Sequence, residues 1–123
     1  MNVQSLERTF IDKVFAICDY KIENMMGGDS RHLYDIAKII SKINFNNNLK
    51  ELISLVRLDR SKSKNNPSAN PKYNINDILK DVINTGFYES DYKNITEKLL
   101  YDNMTYDEAI DNGIKIVINK DLF

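Results

Sequence analysis

Lys13 and Asp35, flanked by Arg8 and Arg31, are the residues of this 123-residue chain whose types suit phosphate chemistry. A lysine ammonium neutralises phosphate charge. A carboxylate beside it can orient the lysine or take a proton from an attacking hydroxyl. Arg31 and Asp35 are four apart, so on a helix they share a face. Arg8 and Lys13 are five apart, need not share a face, and both lie off the apolar stripe of their segment. Plainer readings stand beside these. A lone helical lysine is usually solvated, and an exposed pair at four-residue spacing contributes only a few tenths of a kcal/mol. His32, the single histidine, has no carboxylate or nucleophile in register with it and reads as a surface or packing residue. Cys18, the single cysteine, sits on an apolar stripe and reads as a small core residue.

The elements that must hold these side chains are helical. Leu6, Phe10, Val14, Ile17 and Cys18 recur at three and four positions, with Ile11 and Phe15 widening the stripe, which predicts a helix over about 4–23. Asp29 or Ser30 can cap a second helix that buries Leu33, Ile36, Ile39 or Ile40, and Ile43. The two helices should run roughly antiparallel. Lys13 is about 18 Å from a helix end at Met25 and Asp35 only about 7 Å into its own helix. They meet only if the first helix stops early, near Tyr20, or if the helices cross steeply; the early stop is the expectation.

A third helix buries Leu49, Leu52, Ile53, Val56 and Leu58. Two prolines in a polar stretch mark an exposed loop at about 61–74. A fourth helix starts near Asn74 or Asn76, buries Ile78, Leu79, Val82 and Ile83, and stops at Gly86. A fifth, about 90–101, buries Tyr92, Ile95, Leu99 and Leu100. Thr105 and Glu108 have capping-box spacing and open a sixth helix carrying Ala109, Ile110, Ile114 and Val117, which Gly113 weakens by roughly 1 kcal/mol. Only Ile114–Ile118 shows any strand-like alternation. The expected fold is all-α, one domain over 1–123, an array of five to six short helices.

A net charge of −1 gives no overall attraction to nucleic acid or membrane, so phosphate binding would need a local cluster. Arg57, Arg60, Lys62 and Lys64 form a basic run at the end of the third helix and the following loop. With Asn and Ser interleaved it could hold an RNA backbone, but without interleaved aromatic residues apart from the distant Tyr73 the favoured reading is a solvated loop. The tyrosines at 88, 92, 101 and 106 are spaced as core or half-buried helix positions, not as a stacking platform. No apolar run approaches ~18 residues, and no membrane span is expected. One cysteine and no signal-like N-terminal pattern fit a reducing, cytoplasmic location.

The segments Leu6-Glu7-Arg8-Thr9-Phe10-Ile11-Asp12-Lys13-Val14-Phe15-Ala16 and Ser30-Arg31-His32-Leu33-Tyr34-Asp35-Ile36, in this order, resemble the C-terminal half of the nucleotidyltransferase-like toxins of the AbiEii/AbiGii family. The likeness continues through Phe87–Tyr92, Asn94–Lys98 and Met104–Ile110. The resemblance places Lys13 and Asp35 on the family's lysine and aspartate motifs as catalytic residues, with Arg8 and Arg31 as nucleotide-binding neighbours. It implies transfer of a nucleotide from a nucleoside triphosphate, in known cases to tRNA, by the toxin of a toxin–antitoxin or phage-defence pair.

A complete enzyme of this kind also has a Gly-Ser turn and an Asp-x-Asp pair on a small sheet, the pair holding Mg²⁺ for in-line displacement. This sequence has no Asp-x-Asp, and Gly27-Gly28-Asp29-Ser30 is not that turn. The expectation is therefore a helical portion that lacks the nucleotidyltransferase sheet, holds no metal and is inactive alone. Its expected partners are a missing N-terminal half or a cognate antitoxin. Such a portion should expose apolar groups beside Lys13, with Phe10, Phe15 and Tyr34 as candidates. The alternative is a free-standing helical module that binds a protein or RNA.

Overall fold

A computed structural model describes residues 6–23, 30–43, 45, 47–62, 74–99, 104–120 and 123. The described residues are helical and contain no strand, as the all-α reading expects. Helix α1 spans Leu6–Ile22. Helix α2 spans Arg31–Ile39 and tightens into a 3₁₀ turn, Ile40–Lys42. Helix α3 spans Asn47–Ser61 and α4 spans Ile75–Thr85. Helix α5 consists of Glu89–Asp91, a π-turn Tyr92–Thr96, and Glu97–Leu99. Helix α6 consists of Tyr106–Ala109, a π-turn Ile110–Ile114, and Lys115–Lys120. The segment Ile114–Ile118 is thus helical, not a strand: its apolar residues serve a helix face that packs on α2 and α4.

Helix α1 is the centre of the array and packs against α2, α3 and α4. Phe10, Ile11, Val14, Phe15, Ile17 and Cys18 are all fully buried. At 3.6 residues per turn these positions form one broad face of about 160°, wide enough to be matched by more than one neighbour. Phe123 closes over the stripe, with its ring 5.6 Å from Phe15 edge-on and 6.5 Å from Phe10. The Tyr88 hydroxyl donates to the Ile17 carbonyl at 2.8 Å, tying the connection between α4 and α5 to the middle of α1. Leu6, expected on the buried stripe, lies at the first turn of α1 and is partly exposed.

Local chemistry sets several boundaries as expected. The Asn74 side chain accepts from the Asp77 amide and starts α4, and Gly86 ends it in the left-handed conformation at φ 62°. Thr105 and Glu108 form both bonds of the capping box that opens α6. Ser30 stands at the N-cap of α2 but makes no capping bond. Its hydroxyl instead meets the Thr96 hydroxyl at 2.6 Å, and the Asp91 carboxylate accepts the Ser30 amide at 3.4 Å. The start of α2 is therefore held by α5 rather than by its own side chain. The anionic Asp91 also suits the positive end of the helix dipole.

Two burial expectations fail for geometric reasons. Ile95 is 54% exposed, and its neighbour Thr96 is buried. A π-turn holds more residues than an α-turn, so side chains inside it rotate away from the spacing a sequence reader assumes. Leu58 is 61% exposed because the core face of α3 is Leu49, Ile53 and Val56. Leu100 and the side chain of Leu99, both expected in the core, and residues 63–73 of the expected loop lie outside what is described.

Gly113 has a packing role that its helix-weakening tendency conceals. A Cβ built there would lie 3.2 Å from the Ala37 amide nitrogen and 3.3 Å from its Cα. The missing side chain lets the α6 backbone approach that of α2. Replacing Gly113 with Val should destabilise the fold by about 1–3 kcal/mol, because backbone atoms cannot step aside as a flexible side chain can. Urea denaturation checks this: the midpoint should fall with little change in slope.

Candidate functional site

Lys13 lies midway along α1 and Asp35 lies in the second turn of α2. The Lys13 ammonium donates to the Asp35 carboxylate at 3.0 Å, and the two side chains keep 22% and 24% of their surface. The pair links two consecutive helices and borders solvent.

The route to this contact differs from the expected one. Helix α1 does not stop at Tyr20 but runs to Ile22. The Tyr20 ring stacks on His32 at 6.4 Å, which fixes a second contact between the same helices. Between these contacts the chain moves seven residues along α1 and three along α2. At ~1.5 Å per residue that is about 10 Å against about 5 Å. Side-by-side helices would advance equally, so the crossing of the axes and the length of the lysine arm take up the difference. His32 packs here on Tyr20, in keeping with its reading as a packing residue.

Arg8 does not join Lys13. Its guanidinium lies 3.1 Å from Asp59 on α3 and 3.7 Å from Asp12 one turn along. It therefore faces α3, while Lys13 faces α2. Arg31 is the first residue of α2 and is exposed, one turn before Asp35. Phe10 and Phe15, expected as exposed apolar flanks of the site, are fully buried. Tyr34 is half-buried against the core with the Lys38 ammonium 5.7 Å over its ring. The expected apolar border beside Lys13 is absent among the described residues, because Phe123 and α3 cover the far side of α1.

Sequence reasoning missed the deepest ionic cluster. Arg60 was expected in a solvated basic run. Its guanidinium instead donates to Asp19 at 2.7 Å and to Asp12 at 3.3 Å, and lies 5.6 Å over the Phe15 ring. The Asp19 side chain keeps only 10% of its surface and Arg60 only 18%. The missed signal was in α1: Asp12 and Asp19 are seven apart, which puts both on one face of a helix. Burial pushes the neighbouring Cys18 thiol far above its usual range, and the Asp19 carboxylate adds to the rise. Cys18 is fully buried in the core, in keeping with its reading as a small core residue.

The two clusters differ in what they can do. Arg60 is shared between two carboxylates and an aromatic face, which hold it between α3 and α1. Lys13 has one carboxylate partner within 4 Å among the described residues and three N–H donors to give. It can hold Asp35 and still reach an incoming phosphate oxygen. No group of three metal-ligating side chains occurs among the described residues.

The family model for the nucleotidyl transferase AbiEii toxin of type IV toxin–antitoxin systems matches residues 1–112. The chain belongs to the AbiEii toxin family. A toxin of such a system has a cognate antitoxin. No curated protein and no solved structure matches the chain. No helix among the described residues is long and apolar enough to cross a membrane.

The depth difference between the clusters sets a stability prediction. Arg60→Met should cost about 3 kcal/mol, because the nearly buried Asp19 loses its 2.7 Å ionic contact. Lys13→Met should cost only about 0–1 kcal/mol, as expected of a pair that water still reaches. Paired urea titrations of the two variants would test the ordering, and equal losses would contradict it.

Proposed function

We propose that this chain is the helical portion of a nucleotidyl-transferring toxin and that Lys13 and Asp35 are its contribution to the transfer site. The observation that carries this reading is the 3.0 Å contact between Lys13 and Asp35 across two helices at the solvent border. The family match over residues 1–112 supports it. In this reading Lys13 binds the triphosphate through the donors that Asp35 leaves. Asp35 holds the ammonium in place and accepts the proton of the attacking hydroxyl. The acceptor oxygen then bonds to the α-phosphorus as the bond to pyrophosphate breaks.

Arg31, one turn before Asp35 on the same helix, is the second nucleotide contact. Arg8 contributes by fixing α1 against α3 and not by touching the nucleotide. The divalent cation of such a transfer would be held by carboxylates outside residues 1–123, since this sequence contains no Asp-x-Asp. The acceptor is RNA, with tRNA the first to test, and the partner that completes the site is a nucleotidyltransferase half.

Purified chain with Mg²⁺, labelled triphosphates and total tRNA should give no labelled RNA. Adding an N-terminal half from a related toxin should produce labelling. Lys13→Ala or Asp35→Asn should then reduce it by about a hundredfold or more, the scale for removing a group that stabilises developing charge. Labelling that survives both substitutions would refute the assignment. Labelling by the unaided chain would refute its incompleteness.

A further inference from the structure

Helix α3 carries a second stripe on the face away from the core. Leu49, Ile53, Val56 and Arg60, spaced four, three and four apart, turn inward, and each is buried or partly buried. Two positions further on, Glu51, Leu55 and Leu58, with Lys62 one residue past the end of the helix, repeat the same spacing, and all four are exposed. Leu55 and Leu58 keep 62% and 61% of their surface, the two largest exposures among the large apolar residues described. Isolated exposed leucines need no explanation, but two leucines in one heptad stripe bounded by opposite charges form the pattern of a helix seam.

The order Glu-Leu-Leu-Lys has a direction. A second copy laid parallel would place Glu51 on Glu51 and Lys62 on Lys62. Laid antiparallel, the seam alternates so that Leu55 meets the other copy's Leu58 and Glu51 meets its Lys62. The symmetry makes each contact twice, as a two-fold interface requires. The flanking Ser54 and Ser61 are small and exposed, which allows close approach of the two helices. Asp59, which also borders the seam, is already paired with Arg8.

We propose that two copies of this chain associate through antiparallel pairing of α3, with Leu55 and Leu58 as the apolar centre and the Glu51–Lys62 pairs as its ends. One helix of 15 residues from each copy makes a small interface. Small interfaces of this class are transient, so the dimer forms at micromolar to millimolar concentration. Lys13 and Asp35 lie on α1 and α2 and take no part.

Sedimentation of the whole chain from about 5 µM to 1 mM should show mass rising from monomer to dimer. Leu55→Glu should raise the dissociation constant by about thirtyfold or more, as loss of a central anchor does. It should leave the helical circular dichroism signal unchanged, because Leu55 is exposed. Glu51→Lys should weaken association by about tenfold through like-charge contact, and Glu51→Lys combined with Lys62→Glu should restore it to within about threefold. That rescue is the decisive readout, since a merely structural role for Glu51 gives none. A monomer at every concentration would overturn the proposal and leave the stripe to a different protein. A dimer unchanged by Leu55→Glu, or no rescue in the double exchange, would overturn it equally.

Discussion

The burial of α1 on several sides is the constraint on which the rest of the structure depends. Six of its side chains have no exposed surface, and together they form one broad face of the helix. The apolar surface removed from water drives α2, α3, α4 and Phe123 onto it. The charged residues of α1 are then caught in the seams between neighbours. A charge in a seam must be paired or it costs several kcal/mol. Arg8 and Asp12 are met from α3, Asp19 is met by Arg60, and Lys13 is met by Asp35 from α2. The ion pairs therefore record which helix lies against which side of α1.

This arrangement separates two kinds of charged cluster that look alike in a sequence. The Arg60 cluster is deep, has two carboxylates for one cation, and holds α3 to α1. Its depth and double pairing suit a role in stability. The Lys13–Asp35 pair is shallower, with one partner for each member among the described residues. In the proposed role its lysine exchanges part of its hydrogen bonding for a phosphate oxygen while keeping Asp35 as its anchor. The pair lies in the two segments that carry the family resemblance, and its accessibility distinguishes it from the Arg60 cluster.

The polar ties further along the chain complete the frame around that pair. Asp35 sits on a helix whose first turn is fixed by Asp91 and Thr96 and whose far side is pressed against the backbone at Gly113. The buried Tyr92 hydroxyl donates to the Met104 carbonyl at 3.1 Å, joining α5 to the entry of α6. Helices α5 and α6 contribute no candidate catalytic group. They position α2, and through it the carboxylate.

The sequence by itself determined the helices, because apolar periodicity, the Asn74 and Thr105 caps and the Gly86 stop are local signals that need no knowledge of neighbours. It also determined the order of the lysine and aspartate segments, which carries the family resemblance, and the core roles of Cys18, Tyr88, Tyr92 and Tyr106. Only the tertiary structure decided which faces meet. Phe10 and Phe15 are buried because Phe123, about a hundred residues away in sequence, closes over them. Arg60 is structural because α3 brings it between two carboxylates of α1, a contact 41 residues apart for Asp19. Ser30 forgoes its cap because Thr96 lies within reach, and Ile95 turns outward because its turn is π rather than α. Local sequence sets backbone conformation through short-range sterics and hydrogen bonds. The pairing of helices and charges is set by the summed burial of distant residues, which no local pattern encodes.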